Sequence, residues 1–256
     1  MTVAAPTILA QITDPHIRLD DDGTSASLSS AVEALAALDT PADAVIVTGD
    51  LVDEPGRAEY ALVQECLAPI AVPTYVLMGN HDDRDALRAA FPLNGAGPVP
   101  SYRYSVRVGG LRLIGLDTTV PGRVGGALGD EEIAWLAAEL AAEPDVPTMI
   151  AMHHPPFDTG NDAIDTIGLE PSGRERLASV LERHPQVRRV ICGHVHATTF
   201  ETLAGCPVMA CAATRLQLPF QIPGGEELEL VSEPGAIALH VLMDGSLKTH
   251  VRALGG

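Results

Sequence analysis

Basic residues are scarce in this chain: 16 Lys and Arg stand against 34 Asp and Glu, a formal net charge of −18 over 256 residues. Nucleic-acid polymers are bound through cations that neutralise phosphates, and a surface of this sign repels a polyanion. DNA and RNA are therefore not expected partners, whereas a small phosphate ester meeting a local dication is compatible with the charge. Aromatic residues make up only 4%, so platforms for stacking bases are few. No run approaches the ~18 unbroken apolar residues of a membrane span, and Met1 to Pro6 lacks a positive region followed by an apolar stretch. The expectation is no membrane and a cytoplasmic location. Four cysteines, Cys66, Cys192, Cys206 and Cys211, show no C-x-x-C spacing. They read as buried free thiols, with a local Cys206–Cys211 bridge left open. No Pro/Gly/Ser-rich linker and no internal repeat divides the chain, so residues 1–256 read as one domain.

What is present is an alternation of strand and helix patterns, with 46% hydrophobic residues to fill a core. Leu28, Val32, Leu35 and Leu38 recur at helical spacing after a cap at Ser25 or Ser27, and Leu62, Val63, Cys66, Leu67 and Ile70 mark a second helix. Asp130, Glu131 and Glu132 open a third, where acidic residues suit the positive end of the helix dipole. Ser172 and Glu175 have the spacing of a capping box before Leu177, Val180 and Leu181. Tyr102 to Val108 and Leu111 to Leu116 read as a hairpin turning at Gly109-Gly110. Pro207 to Cys211 reads as a further strand, and Ala236 to Leu242 and Leu247 to Val251 as a hairpin turning at Asp244-Gly245. Helices alternating with strands, mixed with antiparallel hairpins, predict an α/β protein with mixed sheets. The segments His16 to Ser27 and Phe157 to Gly173 read as long functional loops, the Asp20-Asp21-Asp22 triplet in the first being most simply a solvated turn.

Five strand-like apolar runs end directly in metal-ligand chemistry. Ile8 to Thr13 meets Asp14-Pro15-His16, Ala44 to Thr48 meets Gly49-Asp50, and Thr74 to Met78 meets Gly79-Asn80-His81-Asp82. Pro147 to Met152 meets His153-His154-Pro155, and Val187 to Cys192 meets Gly193-His194-Val195-His196. In open α/β sheets, ligands gather beyond the carboxyl ends of the strands. Each motif is weak alone, and a His-x-His after a strand sends its two rings to opposite faces unless a loop redirects both. Together they point to one composite site. Imidazole, carboxylate and amide oxygen suit zinc, manganese or iron better than calcium or magnesium alone. Asp14, His16, Asp50, Asn80, His153, His194 and His196 exceed what one ion takes, so two ions sharing a carboxylate fit better.

This ordered set resembles the calcineurin-like metallophosphoesterases. Its Gly-Asn-His-Asp-Asp and His-His-Pro-Pro runs are most similar to the bacterial class III cyclic-nucleotide phosphodiesterases and glycerophosphodiesterases. The resemblance implies a four-layer α-β-β-α sandwich of two mixed sheets flanked by helices, with a dinuclear centre at the strand ends. It implies that Asp14, His16 and His196 hold the first ion, that Asn80, His153 and His194 hold the second, and that Asp50 bridges them. The His-x-Pro pattern selects His153 over His154, which is left as a substrate-side or supporting group. Asp50, Asn80 and His81 would be the catalytic set, with Asp82 orienting His81 near the substrate. Phe157 is the best-placed base-stacking residue, while Asp158, Asn161, Asp162 and Asp165 offer contacts to alcohol hydroxyls. Purple acid phosphatases carry a ligand Tyr where this chain has Asp53, and serine/threonine phosphatases carry Asp-Arg-Gly where it has Asp53-Glu54-Pro55. Asp53 reads equally as a supporting carboxylate or a turn residue.

The expected activity is hydrolysis of a small phosphodiester, a cyclic nucleotide such as 3',5'-cAMP or a glycerophosphodiester, by in-line attack of a metal-bound hydroxide. The cofactors would be two ions of Mn, Fe or Zn, and a homodimer is compatible with the sequence. The rivals are a non-catalytic interaction module on the same fold and a metal-dependent nuclease. His184, His240 and His250 fall outside every motif and read as surface or packing residues.

Overall fold

The computed structural model describes residues 5–92, 101–224 and 227–255; residues 1–4, part of the leader reading, lie outside them. The elements run β1 (Thr7–Ile12), α1 (Asp22–Ala36), β2 (Ala44–Val47), α2 (Arg57–Leu67), β3 (Thr74–Val76) and α3 (Arg84–Ala90). Next come β4 (Tyr104–Val108), β5 (Leu111–Gly115), α4 (Asp130–Ala142), β6 (Thr148–Ala151), α5 (Asp162–Asp165) and α6 (Pro171–Arg183). The chain closes with β7 (Val187–Cys192), β8 (Thr199–Leu203), β9 (Cys206–Ala210), β10 (Leu216–Gln217), β11 (Val231–Ser232), β12 (Ala236–Met243) and β13 (Ser246–Ala253).

One sheet is ordered β13-β12-β1-β2-β3 and the other β4-β5-β6-β7-β9-β8, with β10 and β11 forming a small ribbon. Both large sheets are mixed: β1, β2 and β3 are parallel, as are β5, β6, β7 and β9, while β12, β13, β4 and β8 join antiparallel. Strand alternation divides the second sheet between two cores. Leu113, Met149 and Ile191 pack with the first sheet, and Ile114, Ile150 and Val190 pack with Leu136 of α4 and Leu177 of α6. Helices α1, α2 and α3 cover the outer face of the first sheet through Leu28, Val63 and Leu87. The result is the four-layer sandwich. Because β1, β2, β3, β6 and β7 belong to the parallel parts, their carboxyl ends share one edge, and the five motifs meet there.

Some local expectations change. Helix α1 starts earlier than expected, capped by Asp21, whose side chain accepts from Gly23 N–H. The acidic triplet is therefore a cap and first turn that shortens the expected loop. The Ser172/Glu175 capping box does not form. Pro171 opens α6, and the Ser172 hydroxyl instead donates to Glu170. Strand β8 was not foreseen because Thr199–Leu203 is a mostly exposed edge without apolar alternation. All four cysteines are free and buried. Among the described residues, no helix is long and apolar enough to cross a membrane.

Candidate metal centre

The loops after β1 and β2 are zipped together: Asp14 N–H donates to the Gly49 carbonyl at 3.2 Å and His16 N–H to that of Asp50 at 3.0 Å. Seven non-glycine residues among those described have positive φ, and five of them are Asp14 (50°), His16 (42°), Asp50 (48°), His194 (70°) and His196 (53°). Left-handed backbone costs an L-residue roughly 1–3 kcal/mol and persists only where the surroundings over-determine it. Here it turns each side chain out of the strand alternation and inward. His194 and His196 are both redirected, which resolves the opposite-faces problem of a His-x-His pair. Two glycines have a steric reason. A Cβ at Gly49, whose φ is +97°, would run into the His153 ring, and one at Gly193 would run into Thr13 and the Asp14 carboxylate.

The side chains form two groups around Asp50. Asp14, His16 and His196 cluster on one side, with His16 Nε2 3.1 Å from His196 Nε2 and His196 Nε2 3.6 Å from Asp14 Oδ1. On the other side His153 Nε2 lies 3.2 Å from Asn80 Oδ1, and its ring centroid is 5.1 Å from that of His194. Asp50 Oδ2 stands between them, 3.5 Å from His16 Nε2 and 3.4 Å from His153 Nε2. His153 Nδ1 donates to the Thr48 carbonyl and His196 Nδ1 to that of Leu216, at 2.9 and 2.8 Å. Such anchoring leaves the Nε2 lone pair for a metal, the usual support for a ligating histidine. His194 Nε2 is buried with no hydrogen-bond partner among the described residues.

Protons alone serve this arrangement poorly. Burial lowers His153, but the Asp50 and Asp14 carboxylates outweigh it and lift the imidazole to about 9. Burial raises Asp50, yet His153, His16 and His81 hold it well below the ordinary carboxylate range. His194 is pushed far down, first by burial and then by His154 and His153. Packed imidazoles that cannot all be charged, an unpartnered ring nitrogen and carboxylates between them fit divalent cations.

His81 stands beside the donors and clusters with His16 and Asp53. Its Nδ1 donates to the Asp53 carbonyl at 2.9 Å, and the ring borders a cleft of about 580 Å³. Asp82 does not orient it, contrary to expectation. The Asp82 carboxylate is turned inward, accepting from Gly79 N–H, Leu51 N–H and Tyr60 hydroxyl, and burial followed by Asp50 raises it to about 7. The supporting carboxylate is Asp53, 3.5 Å from both His16 Nδ1 and His81 Nδ1 and paired with Arg18. His154 also departs from the substrate-side reading: it is fully buried, Nε2 donating to Val124 carbonyl and Nδ1 bonded to Thr118 hydroxyl. Phe157 lies in the core facing α4 and α6, so it cannot stack on a base in the cleft. Three of the loop's four polar candidates are engaged within the protein: Asp165 accepts from Thr159 and Gly160 N–H, Asn161 caps α5 and donates to the Gln221 carbonyl, and Asp158 pairs with Arg174 of α6, while Asp162 lies in the first turn of α5.

The cleft brings in residues that the motifs did not announce. Arg18 and Arg215 line it, and Ile164, Ile167, Leu216, Leu228 and Leu230 add apolar surface, called the wall below. Arg18 lies two positions after His16, a signal available in the sequence; Arg215 has none.

Comparison with known proteins agrees with this geometry. A profile of the calcineurin-like phosphoesterases matches residues 8–198. A glycerophosphodiester phosphodiesterase of Enterobacter lignolyticus is 33% identical over 223 residues, covering 83% of this chain and 79% of its own length. A cAMP/cGMP dual specificity phosphodiesterase of Mycobacterium tuberculosis is 34% identical over 218 residues, covering 84% and 67%. Two solved structures share the fold at low identity. A dimetal phosphatase from Danio rerio has a TM-score of 0.68 at 16% identity, covering 97% of this chain and 99% of that one. A yellow lupin purple acid phosphatase has a TM-score of 0.74 at 17%, covering 97% and 52%. With its strand-end donors gathered on one edge and the family profile spanning all five motifs, this chain belongs to the calcineurin-like metallophosphoesterases, a family of hydrolases.

Proposed function

We propose that this chain is a dinuclear metal-dependent phosphodiesterase acting on small phosphodiesters, with cyclic nucleotides favoured over glycerophosphodiesters. The observation that carries the dinuclear reading is the position of Asp50 Oδ2 between His16 and His153, a carboxylate oxygen equidistant from two donor groups. Asp14, His16 and His196 would hold the first ion, Asn80, His153 and His194 the second, and Asp50 would be shared by both. Manganese, iron and zinc all suit this donor set. Bound there, two such ions would supply a strong nucleophile near neutral pH and neutralise charge on the phosphoryl oxygens.

The chain's own groups do the rest. His81, fixed by its Nδ1–H bond to Asp53, presents Nε2 to the cleft, where it can pass a proton to the leaving oxygen. A second recess of about 390 Å³, bordered by Arg84 and Arg123, shares Asn80 and Val124 with the main cleft. Space on both sides of Asn80 gives each arm of a diester a place. The apolar wall suits a nucleobase or sugar face better than the hydroxyls of glycerol, whose expected partners Asn161 and Asp165 are spent on their own loop. A non-catalytic module is disfavoured because every donor position is filled and His81 is open to the cleft.

Metal analysis with a substrate panel tests this reading. Two ions per chain are expected, with turnover lost to chelator and restored by manganese. Cyclic AMP should be cleaved more efficiently than glycerophosphoethanolamine, and long duplex DNA should be left intact. A manganese-soaked crystal with one ion away from Asp50 would defeat the dinuclear reading, and the reverse substrate order would defeat the preference.

A further inference from the structure

A line of buried polar side chains runs from the far edge of the first sheet to Asp14. Thr13 hydroxyl donates to Asp14 Oδ2 at 2.5 Å, and Thr48 hydroxyl donates to Thr13 Oγ1 at 2.7 Å. Gln11 Nε2 donates to Thr48 Oγ1 at 2.9 Å and to the Cys192 carbonyl at 2.9 Å. A carbonyl only accepts, so the Cys192 contact sets the orientation of the Gln11 amide and leaves Oε1 as an acceptor. His240 Nε2, 3.1 Å from that oxygen, is therefore the protonated ring nitrogen. Its Nδ1 accepts from the Thr249 hydroxyl at 2.7 Å, and Thr249 accepts from Arg189. Six hydrogen bonds thus point the same way, from Arg189 through Thr249, His240, Gln11, Thr48 and Thr13 to Asp14.

The line is expensive as packing alone. Gln11, Thr13, Thr48 and His240 have no solvent exposure, and each would cost free energy if a single partner were lost. Nearby positions between the sheets are apolar, Ala238 and Met209 among them, so the space accepts hydrocarbon. Arg189 is half-buried, and no carboxylate pairs with it among the described residues. The relay ends on only one of the two donor groups. His153, in the other, takes its support from the Thr48 main-chain carbonyl, which is independent of the Thr48 side chain.

We propose that Gln11, Thr48 and His240 are positioning residues that hold the Asp14 carboxylate in its metal-binding orientation and so set the affinity of the first metal position relative to the second. This rests on the assignment of Asp14, His16 and His196 to that position. Supporting partners of metal ligands typically change affinity by ~10–100-fold when removed.

The test is calorimetric titration of manganese into chelator-stripped protein, with anomalous diffraction at sub-stoichiometric loading to show which position fills. Melting of the stripped protein is followed in parallel. Thr48→Val, which keeps the side-chain shape and removes the hydroxyl, should weaken the first position by ~10–100-fold and leave the second unchanged. Thr48→Ser should restore wild-type affinity. Thr249→Val, at the remote end of the relay, should weaken the same position by a smaller factor, and it decides the matter if Thr48→Val does not fold. Two binding events in the wild type with unchanged affinities in these variants would overturn the relay alone, as would equal weakening of both positions. A wild-type protein that takes up fewer than two ions would overturn the dinuclear assignment beneath it.

Discussion

The floor of the cleft and its wall are built differently. On the floor, Asp14, Asp50, His194 and His196 are buried at strand ends in left-handed backbone, each tied by hydrogen bonds to a neighbouring loop or donor. On the wall, Ile164 and Ile167 come from the segment around the short α5, and Leu228 and Leu230 from chain without regular structure. A floor residue cannot move without breaking several interactions, whereas a wall residue contributes mainly surface. On the proposed function the difference separates chemistry from selectivity: the floor would determine which reaction is possible, and the wall which ester arm is accommodated.

The largest break in this comparison should come from Asp50→Ala. It removes the carboxylate shared by both donor groups, so metal analysis should show fewer than two ions and turnover should fall beyond the ~10²–10⁴ expected for loss of a general acid. Unchanged stoichiometry would show that Asp50 does not join the groups. Next is His81→Ala, which should keep both ions and lower the chemical rate by ~10²–10⁴ for alkyl leaving groups. The loss should be smaller for nitrophenolate, which leaves without protonation. Equal losses for both kinds of ester would point to phosphate binding instead.

The adjacent histidines sharpen the boundary between floor and support. His153→Ala should weaken the second ion, while His154→Ala should retain both ions and destabilise the fold by about 1–3 kcal/mol by leaving the Thr118 and Val124 groups unpaired. Metal content and denaturant midpoints, measured on both variants, check this; the reverse pattern exchanges their roles. A separate effect is expected from pH. Burial, and secondarily Arg189, push His240 down to about 3, whereas the unfolded chain protonates this histidine near its ordinary ~6.5. The unfolded state thus binds the extra proton between these values, and stability should fall as pH drops through that window, by ~1.4 kcal/mol per unit for this one group. In chelator-stripped protein, His240→Gln should show a shallower fall, and parallel slopes would refute the assignment. On the wall, Ile167→Ala should raise KM for a cyclic nucleotide several-fold and leave kcat unchanged, in keeping with about 0.8 kcal/mol per buried methylene. A matching fall in kcat would mean that the wall takes part in positioning the phosphate.

Most of the floor was legible in the linear chain. An apolar run followed by Gly-Asp, Gly-Asn-His or Gly-His-x-His is a local pattern, and parallel strands bring such patterns to one edge. The strand ends of β1, β2, β3, β6 and β7 fell within one or two residues of expectation. The roles assigned to Asp82, His154 and Phe157 were not legible, because each depends on which way one ring or carboxylate turns after a loop closes. Asp82 finds Tyr60 from α2, His154 finds Thr118, and Phe157 finds the core behind the site.

By itself the sequence determined the α/β class, the order of the candidate donors along the chain, the acidic charge balance and the family, because these reside in residue types and short spacings. Only the tertiary structure decided that Asp53 rather than Asp82 lies beside His81, that Asp165 is bonded within its own loop, and that a polar line from Arg189 ends on Asp14. The first and last of these join residues far apart in the chain. A hydrogen bond of that kind requires a partner within about 3 Å in a particular direction, and that is specified only when both sheets have packed.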